Sequence, residues 1–328
     1  MTTEFDPSTT DRPAARSAGG LVGGEGSAGV YRIPGRMPVP PLQPEWLVVD
    51  RLPMYHRFCV EAGPEAPTIV HVHGFGISGT YLEPTAAVLA PRYRTYVPDL
   101  PGMGRSMRPR RGLDLPGLAR ALIAYCDTIG VERPVLVGNS LGCPIILEFA
   151  STFPDRIDRA VLVSPAGGPN NQPMARAFRQ MALDGLREPP SMLPIAGRDY
   201  LRFGVLQSLS LFKAMTEFPT LERLHYLTAP TLVIGGLRDP LVRVSRAFVL
   251  ADIAHVTAVT VPGAHALNYS SPELIAELID AHLTDQPLLE GHRARGVAEL
   301  IDIAGMPATD LRGRPIPPDS VGGVGRVR

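Results

Sequence analysis

The stretch Val135-Leu136-Val137-Gly138-Asn139-Ser140-Leu141-Gly142 constrains this chain more than any other. A β-branched apolar run stops at a glycine, a serine stands two residues on, and a second glycine precedes a helical pattern over 141–153. Gly-x-Ser-x-Gly between a strand and a helix describes a turn so tight that the residues flanking the serine must lack a bulky Cβ. The serine is pushed towards strained backbone angles, which is tolerated where it lifts a hydroxyl clear of a sheet. That hydroxyl then stands over the exposed N–H groups of a helix start, which favour developing negative charge.

The remaining sequence supplies a sheet for such a turn. Residues 46–50 and 55–60 read as two antiparallel strands joined at Leu52-Pro53. Further strands are expected at 68–73, 94–99, 160–163, 231–234 and 258–261, alternating with helices at 81–89, 115–129 and 272–283. This alternation predicts an α/β fold: a mostly parallel, eight-stranded sheet with helices on both faces. It breaks between Ser164-Pro165 and Pro230, where Met174, Phe178, Met181, Leu193, Leu201, Phe203, Leu206, Leu211, Phe212 and Met215 form helix-like groups around Pro189-Pro190. A small helical insertion after the sixth strand, roofing the strand ends, is expected over 167–225. The core then comprises 45–166 and 226–284. Residues 1–44, rich in Gly, Pro and Ser, read as a flexible arm. Residues 285–328 read as a partly disordered tail with one helical stretch at 297–304.

The 328 residues suffice for one large domain with an insertion. Thirty-two Lys and Arg balance thirty-two Asp and Glu, which argues against nucleic acid or an anionic membrane as partner. Lacking a signal-like or membrane-spanning apolar run, the chain is expected to be cytoplasmic. Cys59, Cys126 and Cys143 have no spacing for a metal or a disulfide framework and read as small core side chains, although Cys143 lies close enough to Ser140 to line a site. No metal and no organic cofactor is expected.

A serine needs a base within hydrogen-bond reach, itself oriented by an acid. Among eight histidines, His265 in Gly263-Ala264-His265 follows the last predicted strand directly. His71 inside a strand and His282 inside a helix read as satisfied structural residues, and His56, His225, His255 and His292 have no comparable placement. Asp239, in Gly236-Leu237-Arg238-Asp239-Pro240, also follows a strand. Alone it reads equally as a turn-forming Asp-Pro. The chain order Ser140, Asp239, His265, each just after a strand, is what points to a triad. An oxyanion hole needs two convergent N–H donors. Leu141 offers one and Phe75, in His73-Gly74-Phe75-Gly76, the other. Gly74 and Gly76 allow close approach of a substrate, and Asn139, Met174, Phe178 and Ala266 complete the substrate-binding candidates. The His73 ring reads as a loop-stabilising group. Asp99 to Ser106 lacks a lysine and opens no helix, so it reads as a packing loop rather than a phosphate cradle.

Taken together, His73-Gly74-Phe75-Gly76, Asp99-Leu100-Pro101-Gly102-Met103-Gly104-Arg105-Ser106, Gly138-Asn139-Ser140-Leu141-Gly142, Gly236-Leu237-Arg238-Asp239-Pro240 and Gly263-Ala264-His265 resemble the α/β-hydrolase fold superfamily over about residues 46–284. The resemblance implies Ser140 as nucleophile, His265 as general base then acid, Asp239 as the orienting acid, Phe75 and Leu141 as oxyanion donors, and 167–225 as a helical cap. Ser140 at the elbow argues against dehalogenases and epoxide hydrolases, which use aspartate there. Ser164-Pro165, at the strand before the cap, leaves Asp239 unopposed as the acid. The expected activity is cleavage of a carboxylic ester, or related acyl bond, of a small apolar substrate. The elbow is also similar to that of carbon–carbon bond hydrolases acting on vinylogous diketones. This chain departs from them at Ala266, where tryptophan is common, and at Ile77-Ser78, in place of Pro-Gly. That alternative predicts a basic residue such as Arg198 or Arg202 facing the substrate carboxylate. A non-hydrolytic ligand-binding role is the third reading, and the insertion's apolar residues would equally serve a homodimer.

Overall fold

The protein is represented by a computed structural model that describes residues 41–168, 171–203, 205–242, 255–288 and 301–302. The expectations for the N-terminal arm over 1–40, and for the tail over 289–300 and 303–328, lie outside the described residues, as does the side chain of Leu206.

Strands β1 (Gln43–Val49) and β2 (Leu52–Cys59) pair antiparallel, with Val49 opposite Leu52. The turn between them is Asp50-Arg51, with φ of 47° and 66°, and not Leu52-Pro53. A two-residue hairpin of the type I′ kind seen here needs positive φ at both centres, which the proline ring forbids. Then follow β3 (Thr68–Val72), β4 (Arg94–Pro98), β5 (Val135–Asn139), β6 (Arg159–Val163), β7 (Thr231–Gly236) and β8 (Val256–Val261). The sheet order is β1-β2-β4-β3-β5-β6-β7-β8-β9, parallel from β4 through β8. The edge strand β9 (Ile301–Asp302) runs antiparallel to β8. A helix over 297–304 is therefore wrong at its centre: the open edge of β8 offers backbone groups that a strand satisfies. The remainder of that span lies outside the described residues.

Helices cover both faces, as the continuous apolar character of the strands requires. On one face Val70, Val72, Leu136 and Leu162 pack with Leu118 and Leu122 of α2 and Ile145 and Phe149 of α3. Alternate residues of the same strands (Ile69, Val135, Val137, Val161) meet Leu89 of α1 and Ile275, Leu278 and Ile279 of the closing helix Pro272–Leu283. Here α1 is Glu83–Leu89, α2 is Leu115–Thr128 and α3 is Gly142–Thr152. Asp114 caps α2 by accepting from Gly117 N at 2.8 Å.

Between β6 and β7 lie α4 (Met174–Gly185), α5 (Leu193–Phe203) and α6 (Val205–Glu217), with Pro189-Pro190 separating α4 from α5. Asp199 of α5 fastens this insertion to the loop after β3: its Oδ2 accepts from Ser78 N at 2.8 Å and its Oδ1 from Arg198 Nε at 2.9 Å. The Asp99 carboxylate is a buried hub, taking Arg57 Nη1 at 2.7 Å, Gly79 N at 2.8 Å and Arg105 N at 2.9 Å. The loop that follows it is thus a packing element. Cys59, Cys126 and Cys143 are free and buried. Among the described residues, no helix is long and apolar enough to cross a membrane.

Candidate active site

The elbow after β5 is built as its glycines require. Ser140 has φ 54°. A Cβ on Gly138 would sit 2.7 Å from Ile146 Cδ1 and 2.8 Å from the Gly142 carbonyl carbon, and one on Gly142 would collide with Val72 O of β3. Ser140 N donates to Val163 O of β6 at 3.0 Å, which fixes the turn against the next strand. Leu141 stands at the start of α3 without a side-chain cap.

His265 arrives from the loop after β8. A Cβ on Gly236 would strike Ala264 O, so the bare glycine lets that loop close on the end of β7. Asp239 is held there by its own backbone neighbours: Oδ1 accepts from Leu241 N at 2.8 Å and Val242 N at 3.0 Å. Its Oδ2 meets His265 Nδ1 at 2.7 Å, both side chains being buried. Burial pulls the His265 pKa down, but the Asp239 carboxylate, with Asp184 and Glu188 beyond it, more than reverses this and raises it to about 9.

Ser140 and His265 border one cavity of about 160 Å³, together with Gly74, Phe75, Asn139 and Ala266. Five of the expected site residues outside the triad therefore have definite places. Phe75 and Gly74 form the wall after β3, Ala266 the wall after β8, and Asn139 lies beneath Ser140. Leu141 contributes only its backbone position, since its side chain is fully buried in the core.

Three of the expected substrate-binding residues do not line this cavity. Gly76 is not a cavity residue: its φ of 68° and lack of a Cβ accommodate the Tyr200 ring, which a Cβ would approach to 2.6 Å. Met174, the first residue of α4, packs against the core, and Phe178 stacks on Phe212 at 4.4 Å between ring centroids; neither borders the cavity. The insertion instead lines it with later turns of α4 and with the segment after it: Met181, Asp184, Glu188, Met192 and Tyr200. Cys143 also points elsewhere, its thiol facing Gly138 O and Val163 O.

Several residues of the site carried no motif. Tyr81 Oη accepts from Gly74 N at 2.8 Å and donates to Asn139 Oδ1 at 2.7 Å, while Asn139 Nδ2 donates to His265 O at 3.2 Å. One chain of hydrogen bonds so ties the loop after β3, the elbow and the histidine loop. His73 Nε2 accepts from Leu100 N at 2.9 Å, so its Nδ1–H donates to Gly74 O, and the ring splints this loop. Glu188 Oε1 accepts from both His265 N, at 2.8 Å, and Ala266 N, at 2.6 Å. Asp184 is pushed up to about 7, first by burial, with His265 opposing and Glu188 and Asp239 adding to the rise. The one signal for Asp184 is its spacing: Ala177, Gln180 and Asp184 share the buried side of α4. His71, expected to be satisfied, has no hydrogen-bond partner at either nitrogen, and burial lowers it to about 3, so it is a neutral core side chain.

Residues 69–278 match the profile described as the Alpha/beta hydrolase family. An uncharacterized protein of Mycobacterium tuberculosis is 34% identical over 130 residues, covering 40% of this chain and 38% of the relative, so the chain spans well under half the length of that relative. The 2-hydroxy-6-oxo-6-phenylhexa-2,4-dienoate hydrolase of Burkholderia cepacia is 33% identical over 129 residues, 38% of this chain and 42% of that protein. A carboxylesterase structure from Bacillus subtilis superposes with a TM-score of 0.61 at 21% identity, over 75% of this chain and 93% of that one, a likeness of fold alone.

Proposed function

This chain belongs to the alpha/beta hydrolase family, and on that premise we propose that it is a serine hydrolase cleaving a carboxylic ester or related acyl bond of a small, largely apolar molecule. The carrying observation is that Ser140 and an Asp239-held His265 border the same cavity. Ser140 Oγ attacks the substrate carbonyl as His265 Nε2 takes its proton, and Asp239 fixes the ring through Nδ1. Negative charge gathering on the carbonyl oxygen is met by the N–H groups of Leu141 and Phe75. His265 then protonates the departing alcohol, leaving an acyl-enzyme. Water, deprotonated by the same ring, releases the acid and restores Ser140.

Cleavage of a dienoate carbon–carbon bond would use the same groups but requires a cation for the substrate carboxylate. Among the described residues no lysine or arginine borders the cavity. Arg198 is turned to Asp199 and Ser78 instead. This favours the ester reading. Exposed Leu186, Leu193 and Leu201 on the insertion keep a homodimer as part of the proposal.

The test is labelling with a fluorescent fluorophosphonate, wild type against Ser140→Ala, with the labelled peptide identified by mass spectrometry. Labelling at Ser140 that disappears in the variant is expected, with ester turnover falling by about 10⁶-fold. A folded protein left unlabelled, or a variant within tenfold of wild type, refutes the mechanism and brings the ligand-binding reading forward.

A further inference from the structure

The cavity wall supplied by the insertion carries two carboxylates that the proposed chemistry does not use. Asp184, on the last turn of α4, is 9% exposed, and its Oδ1 is buried without a hydrogen-bond partner. Glu188, four residues on, has one oxygen occupied by His265 N and Ala266 N, while its other oxygen, Oε2, is buried and unpartnered. Both residues border the cavity that contains Ser140. Carboxylate oxygens accept hydrogen bonds only, and leaving one buried and unpaired is costly. The nearby arginines are committed elsewhere, Arg187 Nη1 to Arg238 O and Arg198 to Asp199, and the cation that does face the pair, His265, is already held by Asp239. Much of the remaining lining is apolar, with Phe75, Ile77, Met181, Met192, Phe212 and Met215.

We infer that Asp184 and Glu188 form a cation subsite within the reaction cavity, and that the substrate joins its acyl bond and apolar body to an ammonium or comparable nitrogen cation. Such a group supplies the N–H donors that Oδ1 and Oε2 lack. It also offsets the negative charge of the pair, which would otherwise oppose the developing oxyanion. An anionic substrate meets the reverse situation, which extends the argument against a dienoic acid. Burial raises the Asp184 pKa to about 7, with Glu188 and Asp239 adding to the rise although His265 opposes it. The inference rests on the cavity being the reaction site.

The test uses full-length Ser140→Ala protein and calorimetric titration with three probes of equal chain length: hexylammonium, hexanol and hexanoate. Hexylammonium is expected to bind tightest, by about tenfold or more over hexanoate. That ratio should shrink in Asp184→Asn, and also in Glu188→Gln, which keeps the acceptor for His265 N and Ala266 N. Hexanoate binding as tightly as hexylammonium, undetectable hexylammonium binding, or a ratio unchanged in both variants overturns the subsite. In parallel, wild-type protein is offered methyl heptanoate and methyl 6-aminohexanoate. Cleavage of the first without any preference for cations refutes the subsite and leaves the hydrolase reading standing. Cation preference without cleavage of either ester, and without fluorophosphonate labelling, does the opposite.

Discussion

A base that must be neutral to accept a proton is disabled by whatever stabilises its charged form. His265 faces Asp239 at 2.7 Å and has Asp184 and Glu188 beyond it, which together raise its pKa to about 9. With that value the neutral fraction is about 1% at pH 7 and about 9% at pH 8, against about 76% at pH 7 for an unperturbed imidazole. The rate at which Ser140 reacts with a fluorophosphonate should thus climb nearly tenfold per pH unit between 6 and 8 and level off above 9. Asp184→Asn removes one of the charges holding the ring protonated. Asp184, itself raised to about 7, is mostly ionised across the window in which His265 titrates, so the neutral amide lowers the midpoint and raises the rate at pH 7. The assay is the second-order labelling rate from pH 5.5 to 10, which reports the free enzyme and needs no substrate. A midpoint at or below 6.5, or a midpoint unmoved in Asp184→Asn, refutes the electrostatic account.

Other perturbations bear on how the site is held. Gly142→Ala drives a Cβ into the backbone oxygen of Val72, which cannot swing aside; a loss of about 1–3 kcal/mol in urea unfolding is expected, with labelling of Ser140 impaired in the surviving fold. Wild-type stability and labelling would contradict the geometry of the elbow. Tyr81→Phe strands Gly74 N and Asn139 Oδ1; about 1–3 kcal/mol of destabilisation should accompany slower labelling, and an unchanged labelling rate would show that the chain of bonds does not hold the loop after β3. Arg57→Met leaves the Asp99 carboxylate buried without its cation; about 3–5 kcal/mol should be lost at neutral pH, and a loss under 1 kcal/mol would mean that Gly79 N and Arg105 N suffice for Asp99.

The parallel strands are legible because burial on both faces keeps them mostly apolar, with only isolated polar residues such as His71 and Thr95, and the site because its residues follow strand ends directly. Ser140, Asp239 and His265 each occupy the first turn beyond a strand, where alternation and glycines mark the exit. The insertion was legible as helical but not in orientation. Met174 and Phe178 are apolar, yet the face of α4 that meets the cavity is set by contacts far away in sequence, such as Asp199 with Ser78. Asp184 and Glu188 carry no sequence signal for a related reason: an acidic residue on a helix ordinarily faces water, and only the tertiary arrangement turns Asp184 inward. The hairpin turn lies two residues before Leu52-Pro53: Pro53 is a turn former by composition, whereas the turn here uses two left-handed residues, Asp50 and Arg51.

The double acceptance by Glu188 Oε1 sets a rule for how this molecule can breathe. A corner of the insertion and a loop of the core share a single oxygen. If the corner lifts by itself, two adjacent backbone donors lose their acceptor at about 1–3 kcal/mol apiece unless water follows them in. The inexpensive motion is the one in which corner and loop travel together, so His265 would shift away from Ser140 whenever the roof rose over it.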